Sequence, residues 1–348
     1  MKILFLSYAF APAIGGIEAS SELLADALVG KGHTVRLLTM TTSENEREAW
    51  LYEVIRCPSS AELLKQHAWA DIVYENNPSL RLGWPKLLFS RPSVITLHTW
   101  VSRIDGSIGV LDKLKFRWLA QANQVIAVST ALQQRCAPQA VVIGNSYNDK
   151  LFSFRPVVRH PDFVFLGRLV SDKGVELAIR AFSAIVTAAP ELAAPDATLT
   201  IIGSGPDREH LERMAAQLPG GSRIQFSGPL KGEGLVMELN RHTFQFIPSA
   251  WEEPFGIVAL EGIACGLLPI ASDGGGLPEA IGQAGVTFRR GQLASLIEVT
   301  TELLGNPARQ AQCRAAAPAH LAAFGAEVIT HQFMAVLEAA AQSSASVN

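Results

Sequence analysis

The chain has 348 residues, more than a single hydrophobic core usually accommodates, so two domains are expected. Its 48 % apolar and 18 % charged residues exclude a disordered chain, and a net charge of −3 argues against a dominant nucleic-acid surface. The four cysteines, Cys57, Cys136, Cys265 and Cys313, are scattered without a C-x-x-C or a histidine cluster, which points to a reducing compartment and away from structural zinc. No run approaches the length of a membrane span, and the apolar run at Met1–Ser7 is too short for a signal peptide, so a cytoplasmic location is expected.

Short apolar runs rich in β-branched and aromatic residues alternate with longer helical patterns from end to end. That alternation predicts parallel sheets covered by helices. The first strand is read at Ile3–Ser7, followed after an irregular loop by Gly15-Gly16 and a helix over Ile17–Val29. Adjacent glycines before a helix let backbone N–H groups approach an anion, although a plain loop explains them equally. The dinucleotide fingerprint G-x-G-x-x-G is absent here, because seven residues separate strand and glycines.

Further strands are expected at Val35–Thr39, Val54–Cys57, Ile72–Tyr74, Val94–His98, Val125–Val128 and Val141–Ile143. Glu75, Asn76 and Asn77 end one of them and are candidate partners for sugar hydroxyls on an acceptor. His98 ends another, where a satisfied structural histidine and a functional one are about equally expected. The segment Leu111–Trp118 interleaves Lys113, Lys115 and Arg117 with aromatic and apolar residues on a helix. It reads either as an anionic-membrane contact or as an ordinary amphipathic helix between strands.

The polar stretch Asn145–Lys150 is read as a linker, which divides the chain into domains 1–148 and 149–326. A second strand series follows at Phe163–Gly167, Leu199–Ile202, Ile224–Phe226, Phe244–Ile247, Leu268–Ala271 and Val286–Phe288. The Ala-rich run 311–323 contains Pro318 and is expected to be a broken helix. An amphipathic helix over 327–342 is expected to cross back to the first domain, with 343–348 as a disordered tail. Each half therefore reads as an open doubly wound sheet binding ligands at its strand carboxyl ends, and two such sheets facing each other would enclose a cleft.

The chemistry concentrates in the second half. Arg168 and Lys173 lie in Gly167–Gly174, directly after the first strand of that series. Arginine forks two donors onto phosphate oxygens, and a lysine at a helix start opposes the macrodipole unless it faces an anion. Together they point to diphosphate binding. Gly205, in Gly203-Ser204-Gly205-Pro206, and Leu230, in Ser227-Gly228-Pro229-Leu230, mark further strand-end turns where a nucleobase could meet backbone. Glu253 and Glu261 bracket Pro254-Phe255-Gly256-Ile257, and neither has a base four residues on to pair with. If the run is helical from Phe255, the two carboxylates lie about 12 Å apart along the axis. A glycosidase pair sits at roughly 5 to 9.5 Å, so the spacing suits gripping two ends of an extended ligand instead. Gly274-Gly275-Gly276 implies close backbone approach.

These residues resemble a known family. The early Gly15-Gly16, the Val125–Ser129 strand, Gly167-Arg168 with Lys173-Gly174, the Glu-x7-Glu pair and Gly275–Glu279 are similar to the retaining GT-B glycosyltransferases of family 4 (glycosyl transferases group 1). The resemblance implies two facing Rossmann-like domains with an interdomain cleft. It implies transfer of a sugar from a nucleoside-diphosphate sugar, a UDP- or GDP-sugar first, to a hydroxyl of a cell-envelope glycan or glycolipid such as lipopolysaccharide or exopolysaccharide. Arg168 and Lys173 would then hold the diphosphate, Glu253 the sugar, Glu261 the ribose, and the backbone of Phe255, Gly256 and Ile257 both sugar and phosphate. Gly15 and Gly16 would approach the diphosphate, and His98 would sit beside the sugar. No cofactor is implied, and no Asp-x-Asp occurs, so metal-independent transfer is expected at the inner face of the membrane or free in the cytoplasm. The first domain is shorter than is usual in the family, and Ile143-Gly144-Asn145-Ser146 replaces its Pro-Asn-Gly pattern. A nucleotide-sugar epimerase or another non-transferase GT-B enzyme is the alternative.

Overall fold

The structure, a computed structural model, describes residues 1–13, 15–43, 50–102, 107–160, 162–188 and 196–345. Two compact units make up the chain: Met1–Ser146 together with Gly325–Asn348, and Tyr147–Phe324.

The first unit is built on a seven-stranded, wholly parallel sheet. Its strands are β1 (Lys2–Ser7), β2 (Thr34–Thr39), β3 (Glu53–Arg56), β4 (Ile72–Asn76), β5 (Ser93–Leu97), β6 (Gln124–Ala127) and β7 (Val141–Val142), in the order β3-β2-β1-β4-β5-β6-β7. Ile3, Leu4, Phe5 and Leu6 of β1 are wholly buried, because helices cover both faces of a central parallel strand. That is why this strand reads as a continuous apolar run without alternation.

The second unit repeats the design with β8 (Phe163–Leu166), β9 (Leu199–Ile202), β10 (Ile224–Gly228), β11 (Phe244–Ile247), β12 (Leu268–Ser272) and β13 (Val286–Phe288), ordered β10-β9-β8-β11-β12-β13. Its core is aromatic: Phe163 stacks on Phe244 and Phe246 at 5.2 and 4.9 Å and meets Phe182 edge-on at 5.7 Å. In both units the strand order reverses once, between β1 and β4 and between β8 and β11. Loops leaving the carboxyl ends there splay apart and leave room for a ligand.

Three expectations need correction. The helix after Glu253 spans Ile257–Ala264, two residues later than Phe255, because Gly256 adopts left-handed backbone at φ +117° and the helix cannot extend through it. The helix over Pro307–Ala323 is continuous despite Pro318. Its packing on the Ile257–Ala264 helix and β12, with His320 Nε2 at 2.8 Å from Ala280 O, offsets the one backbone donor that proline lacks. The last helix runs Ala326–Ala345, so residues 343–345 are helical and not a tail, with Ser343 Oγ donating to Ala340 O at 2.9 Å. The remaining residues of that expected tail, 346–348, lie outside the described residues. This helix packs on the Gly16–Gly30 helix and β5, and Phe333 meets Tyr74 edge-on at 6.1 Å. Among the described residues no helix is long and apolar enough to cross a membrane.

Candidate active site

In the second unit the candidate residues gather at the switch point between β8 and β11. The turn after β8 carries Gly167, Arg168 and Leu169; the backbone N–H of Leu169 donates to Ser204 O (2.9 Å) and that of Asp207 to Leu169 O (3.2 Å), lacing it to the turn after β9. Gly205 fits against it because a Cβ there would lie 2.2 Å from Leu169 O. The turn after β8 continues through a short 3-10 segment, Ser171–Lys173, to Gly174. Gly174 has φ +69°, and a side chain on it would start 1.9 Å from Pro248 O. Glycine therefore lets this turn lie on the segment after β11, where Ala250 and Trp251 donate backbone N–H groups to Asp172 O.

The consequence is a lysine placed on a carboxylate 80 residues away. Lys173 Nζ donates to Glu253 Oε1 at 2.5 Å, and Ser249 Oγ donates to the same oxygen at 2.7 Å. The two charged side chains keep 21 % and 12 % of their surface, so the pair is mostly desolvated yet open on one side. From the other flank, Gly275 presses on the same loop. Its φ is +65°, a Cβ would fall 2.0 Å from Glu253 O, and the next residue, Gly276, donates its N–H to that carbonyl at 2.8 Å. The loop bearing Glu253 is thus held between two glycine turns.

Other predicted residues of this unit are distributed around it. Arg168 is exposed and forms no ion pair among the described residues. Phe255 is buried against Phe324, with ring centroids 5.5 Å apart, while Gly256 and Ile257 are half-buried at the start of the helix. Leu230 is half-buried just beyond β10. Glu261 keeps a partly open surface, but burial of its carboxyl raises the pKa to about 7, and it has no cationic partner among the described residues. The nearby Cys265 thiol is pushed up to about 12, first by burial and then by the Glu261 charge. A polar group that costs this much to ionise is well suited to a ligand that donates hydrogen bonds.

One functional candidate escaped sequence reasoning. Arg290, two residues past β13, pairs with Glu252 at 3.3 Å and donates its backbone N–H to Asp273 Oδ1 at 2.9 Å. Its aliphatic stem lies over Gly274, where a Cβ would be 2.8 Å from Arg290 Cδ. Consecutive carboxylates Glu252 and Glu253 are therefore drawn to different cations, which fixes the loop between them. The signal was present: Arg289-Arg290-Gly291 follows a strand carboxyl end, as Gly167-Arg168 does.

The first unit treats its predicted residues differently. Glu75 is wholly buried; its carboxylate accepts from Lys86 Nζ (2.9 Å), Ser79 N (3.0 Å) and Trp118 Nε1 (2.9 and 3.0 Å), and Lys86 lies over the Trp118 ring at 3.7 Å. Burial lowers the Lys86 pKa while Glu75 opposes the shift. Asn76 donates to Ser21 Oγ at 2.5 Å and accepts from Tyr74 OH at 3.2 Å. Asn77, with φ +77°, accepts the His98 backbone N–H at 2.7 Å. Glu75 and Asn76 are buried within this internal hydrogen-bond structure, while Asn77 is half-buried and engages its Oδ1 there.

His98 is also turned inward. It walls a cavity of about 20 Å³, room for one water, shared with Ser20, Tyr74, Asn76, Thr330 and Phe333. Its Nε2 and Ser20 Oγ are buried without partners, so such a water would satisfy both. Burial lowers the His98 pKa to about 4, against a hydrogen bond to Asn145 that raises it, so the ring is neutral at pH 7. Gly15 is extended and Gly16 begins the first helix, with Glu18 folded close to Gly15; a Cβ there would meet its carboxylate at 2.4 Å. Among the described residues, no three His, Cys, Asp or Glu side chains are grouped to hold a metal ion.

Comparison with known proteins falls on both units. The model of the family described as Glycosyltransferase Family 4 matches residues 14–142, and that of Glycosyl transferases group 1 matches residues 148–320. Similar proteins include the uncharacterized glycosyltransferase MJ1607 of Methanocaldococcus jannaschii, 28 % identical over 81 % of this chain and 83 % of that protein. Another is the GDP-mannose-dependent monoacylated alpha-(1-6)-phosphatidylinositol monomannoside mannosyltransferase of Corynebacterium glutamicum, 27 % identical over 92 % and 93 %. The crystal structure of Anabaena Alr3699/HepE in complex with UDP matches with a TM-score of 0.83 at 20 % identity, over 97 % of this chain and all of that one. Two Rossmann-like domains, each on a parallel sheet, define the GT-B fold. The chain is a glycosyltransferase and belongs to the glycosyl transferases group 1 family.

Proposed function

We propose that the protein transfers a sugar from a nucleoside-diphosphate sugar to a hydroxyl of a cell-envelope glycan or lipid-linked acceptor, with retention of anomeric configuration and without a divalent metal. The Lys173–Glu253 pair, open on one side at the switch point between β8 and β11, carries this reading. An arriving diphosphate draws the Lys173 ammonium away from Glu253, and the freed carboxylate oxygen then accepts from sugar hydroxyls. Arg168, unpaired and exposed, adds two donors in a fork. Glu261 accepts from the ribose hydroxyls in its ionised form. The UDP bound to Alr3699/HepE and the GDP-mannose of the Corynebacterium enzyme's name support a UDP- or GDP-sugar as donor.

In the reaction, the bond from the sugar anomeric carbon to the phosphate oxygen breaks while the acceptor oxygen attacks from the same face. The acceptor proton passes to a donor phosphate oxygen and leaves with the nucleoside diphosphate. Charge then accumulates on the diphosphate, where Arg168 and Lys173 stabilise it without reorganising, so no carboxylate is required as nucleophile. Neutralisation by these two cations, together with a sequence lacking Asp-x-Asp, supports metal-independent transfer.

A thermal-shift screen of UDP-, GDP- and ADP-sugars identifies the donor, since a ligand bound only to the native state raises Tm. The reading then requires acceptor-dependent release of nucleoside diphosphate that persists in EDTA, and α-configured product from an α-linked donor. Acceptor-independent isomerisation of the sugar nucleotide would replace it with the epimerase. Arg168→Ala is expected to depress turnover more than donor affinity, and Glu261→Ala the reverse.

A further inference from the structure

We propose that His320 and Phe324, at the far end of the helix Pro307–Ala323, are positioning residues for the donor. They act through Phe255 and Gly276 to hold the Glu253–Ile257 loop where a nucleotide sugar meets it. The inference rests on the transferase reading and adds to it the residues that set the loop.

The loop has little secondary structure of its own. It is irregular from Trp251 to Gly256, and the helix that follows begins only at Ile257. Its buried anchor is Phe255, 2 % exposed although it lies in the loop. Phe255 packs on Phe324, with centroids 5.5 Å apart, and Phe324 packs in turn on the His320 ring at 5.1 Å. Phe324 caps the helix Pro307–Ala323 and donates its N–H to Leu321 O at 3.0 Å, so its ring is carried by a 17-residue helix.

The same histidine reaches the loop by a second route. Its Nε2 donates to Ala280 O at 2.8 Å, and since a carbonyl only accepts, Nε2 carries the proton. Its ring lies against Gly282, where φ is +50° and a Cβ would fall 2.6 Å from ring atoms Nδ1 and Cε1. Both contacts grip the carboxyl end of the short helix Leu277–Ile281. Just before the amino end of that helix, Gly276 donates its N–H to Glu253 O at 2.8 Å. Leu277 fills the space beside Gly256, where a Cβ would lie 2.5 Å from Leu277 Cδ2. Phe324 therefore bears on Phe255, the short helix bears on Glu253 and Gly256, and His320 is common to both. Misplacing a bound group by about 1 Å can cost on the order of 100-fold in rate, so a side chain remote from the ligand can govern its use.

Calorimetric titration separates this role from a general structural one. The probes are UDP-glucose, GDP-mannose and ADP-glucose, each beside its nucleoside monophosphate, which lacks the sugar and the second phosphate. Phe324→Ala is expected to weaken the nucleotide sugar that the wild-type chain binds about tenfold and the monophosphate no more than about twofold, because only the former depends on the loop's placement. Phe324→Tyr, which keeps the ring, should restore the affinity. His320→Leu, which keeps bulk and loses the donor, should discriminate as Phe324→Ala does, and it carries the test if that variant fails to fold. In the unliganded protein, amide hydrogen exchange over 252–257 should quicken in both variants while β8 and β11 keep their protection. Equal weakening of nucleotide sugar and monophosphate, unchanged affinity for both, or unchanged exchange in the loop would overturn the proposal. A wild-type chain that binds no nucleotide sugar would instead overturn the transferase reading, and this inference with it.

Discussion

Each unit places a lysine on a glutamate at its switch point, and the two pairs have opposite characters. Glu75–Lys86, at 2.9 Å, leaves 0 % and 5 % of the side chains exposed and is closed over by the Trp118 indole. Lys173–Glu253 is flanked by the Gly174 and Gly275 turns and Ser249, with the Trp251 ring farther off, its centroid 6.0 Å from Lys173 Nζ. The same topology thus yields a structural ion pair where a large aromatic fills the space, and a ligand-ready one where glycines keep the walls thin. Topology sets where a site can lie; the size of the surrounding side chains decides whether it stays open.

The sharpest way to break this contrast is to remove one carboxylate from each pair. Glu75→Ala leaves the Lys86 charge buried and unpaired and is expected to cost about 3–5 kcal/mol of stability in urea unfolding. Glu253→Ala, in the more open pair where Lys173 can turn toward water, should cost clearly less. Equal losses would show that the pairs do not differ in kind.

Activity should respond the other way. Lys173→Ala is expected to lower kcat about 10²–10³-fold, the scale for removing one preorganised charge-stabilising donor. Lys86→Met, which together with Glu75→Gln replaces the buried pair by neutral groups, should keep most of the activity if the protein folds.

Acidity sharpens the comparison further. The Glu261 pKa is raised to about 7 from 4.5, so between pH 4.5 and 7 the folded chain binds more protons than the unfolded one. Stability contributed by protonated Glu261 is full below that window and is lost as pH rises through it. Glu261→Gln should flatten this loss in a series of Tm against pH, and should also abolish the gain in donor affinity expected as the carboxylate ionises near pH 7.

The smallest effect belongs to Arg290 and Glu252, each about a third exposed. Arg290→Ala is expected to cost no more than about 1 kcal/mol of stability. A several-fold rise in donor KM with kcat retained, reversed by pairing Arg290→Glu with Glu252→Arg, would show that the pair positions the Glu253 loop.

How much was legible beforehand depends on the range of the interaction. Phe163–Leu166 and Ile3–Leu6 announce buried strands through unbroken apolar runs, and the turns at Gly174 and Gly275 announce close approach through glycine itself. Arg168, Lys173 and Glu253 stand out in the sequence because each follows a strand carboxyl end, and the fold brings Lys173 onto Glu253. Glu75 and His98 follow strand ends too, but nothing local to them reports that Trp118 or Phe333 will pack over the position.

The one-dimensional pattern thus determined two doubly wound parallel sheets and the places where their loops splay apart, because periodicity and glycine act over a few residues. Tertiary packing alone decided which of those places stays open, which carboxylates find cations 11, 38 or 80 residues away, and where the helix after Glu253 begins. Those outcomes depend on side-chain volume and charge meeting across distant elements, and only the folded chain brings them into contact.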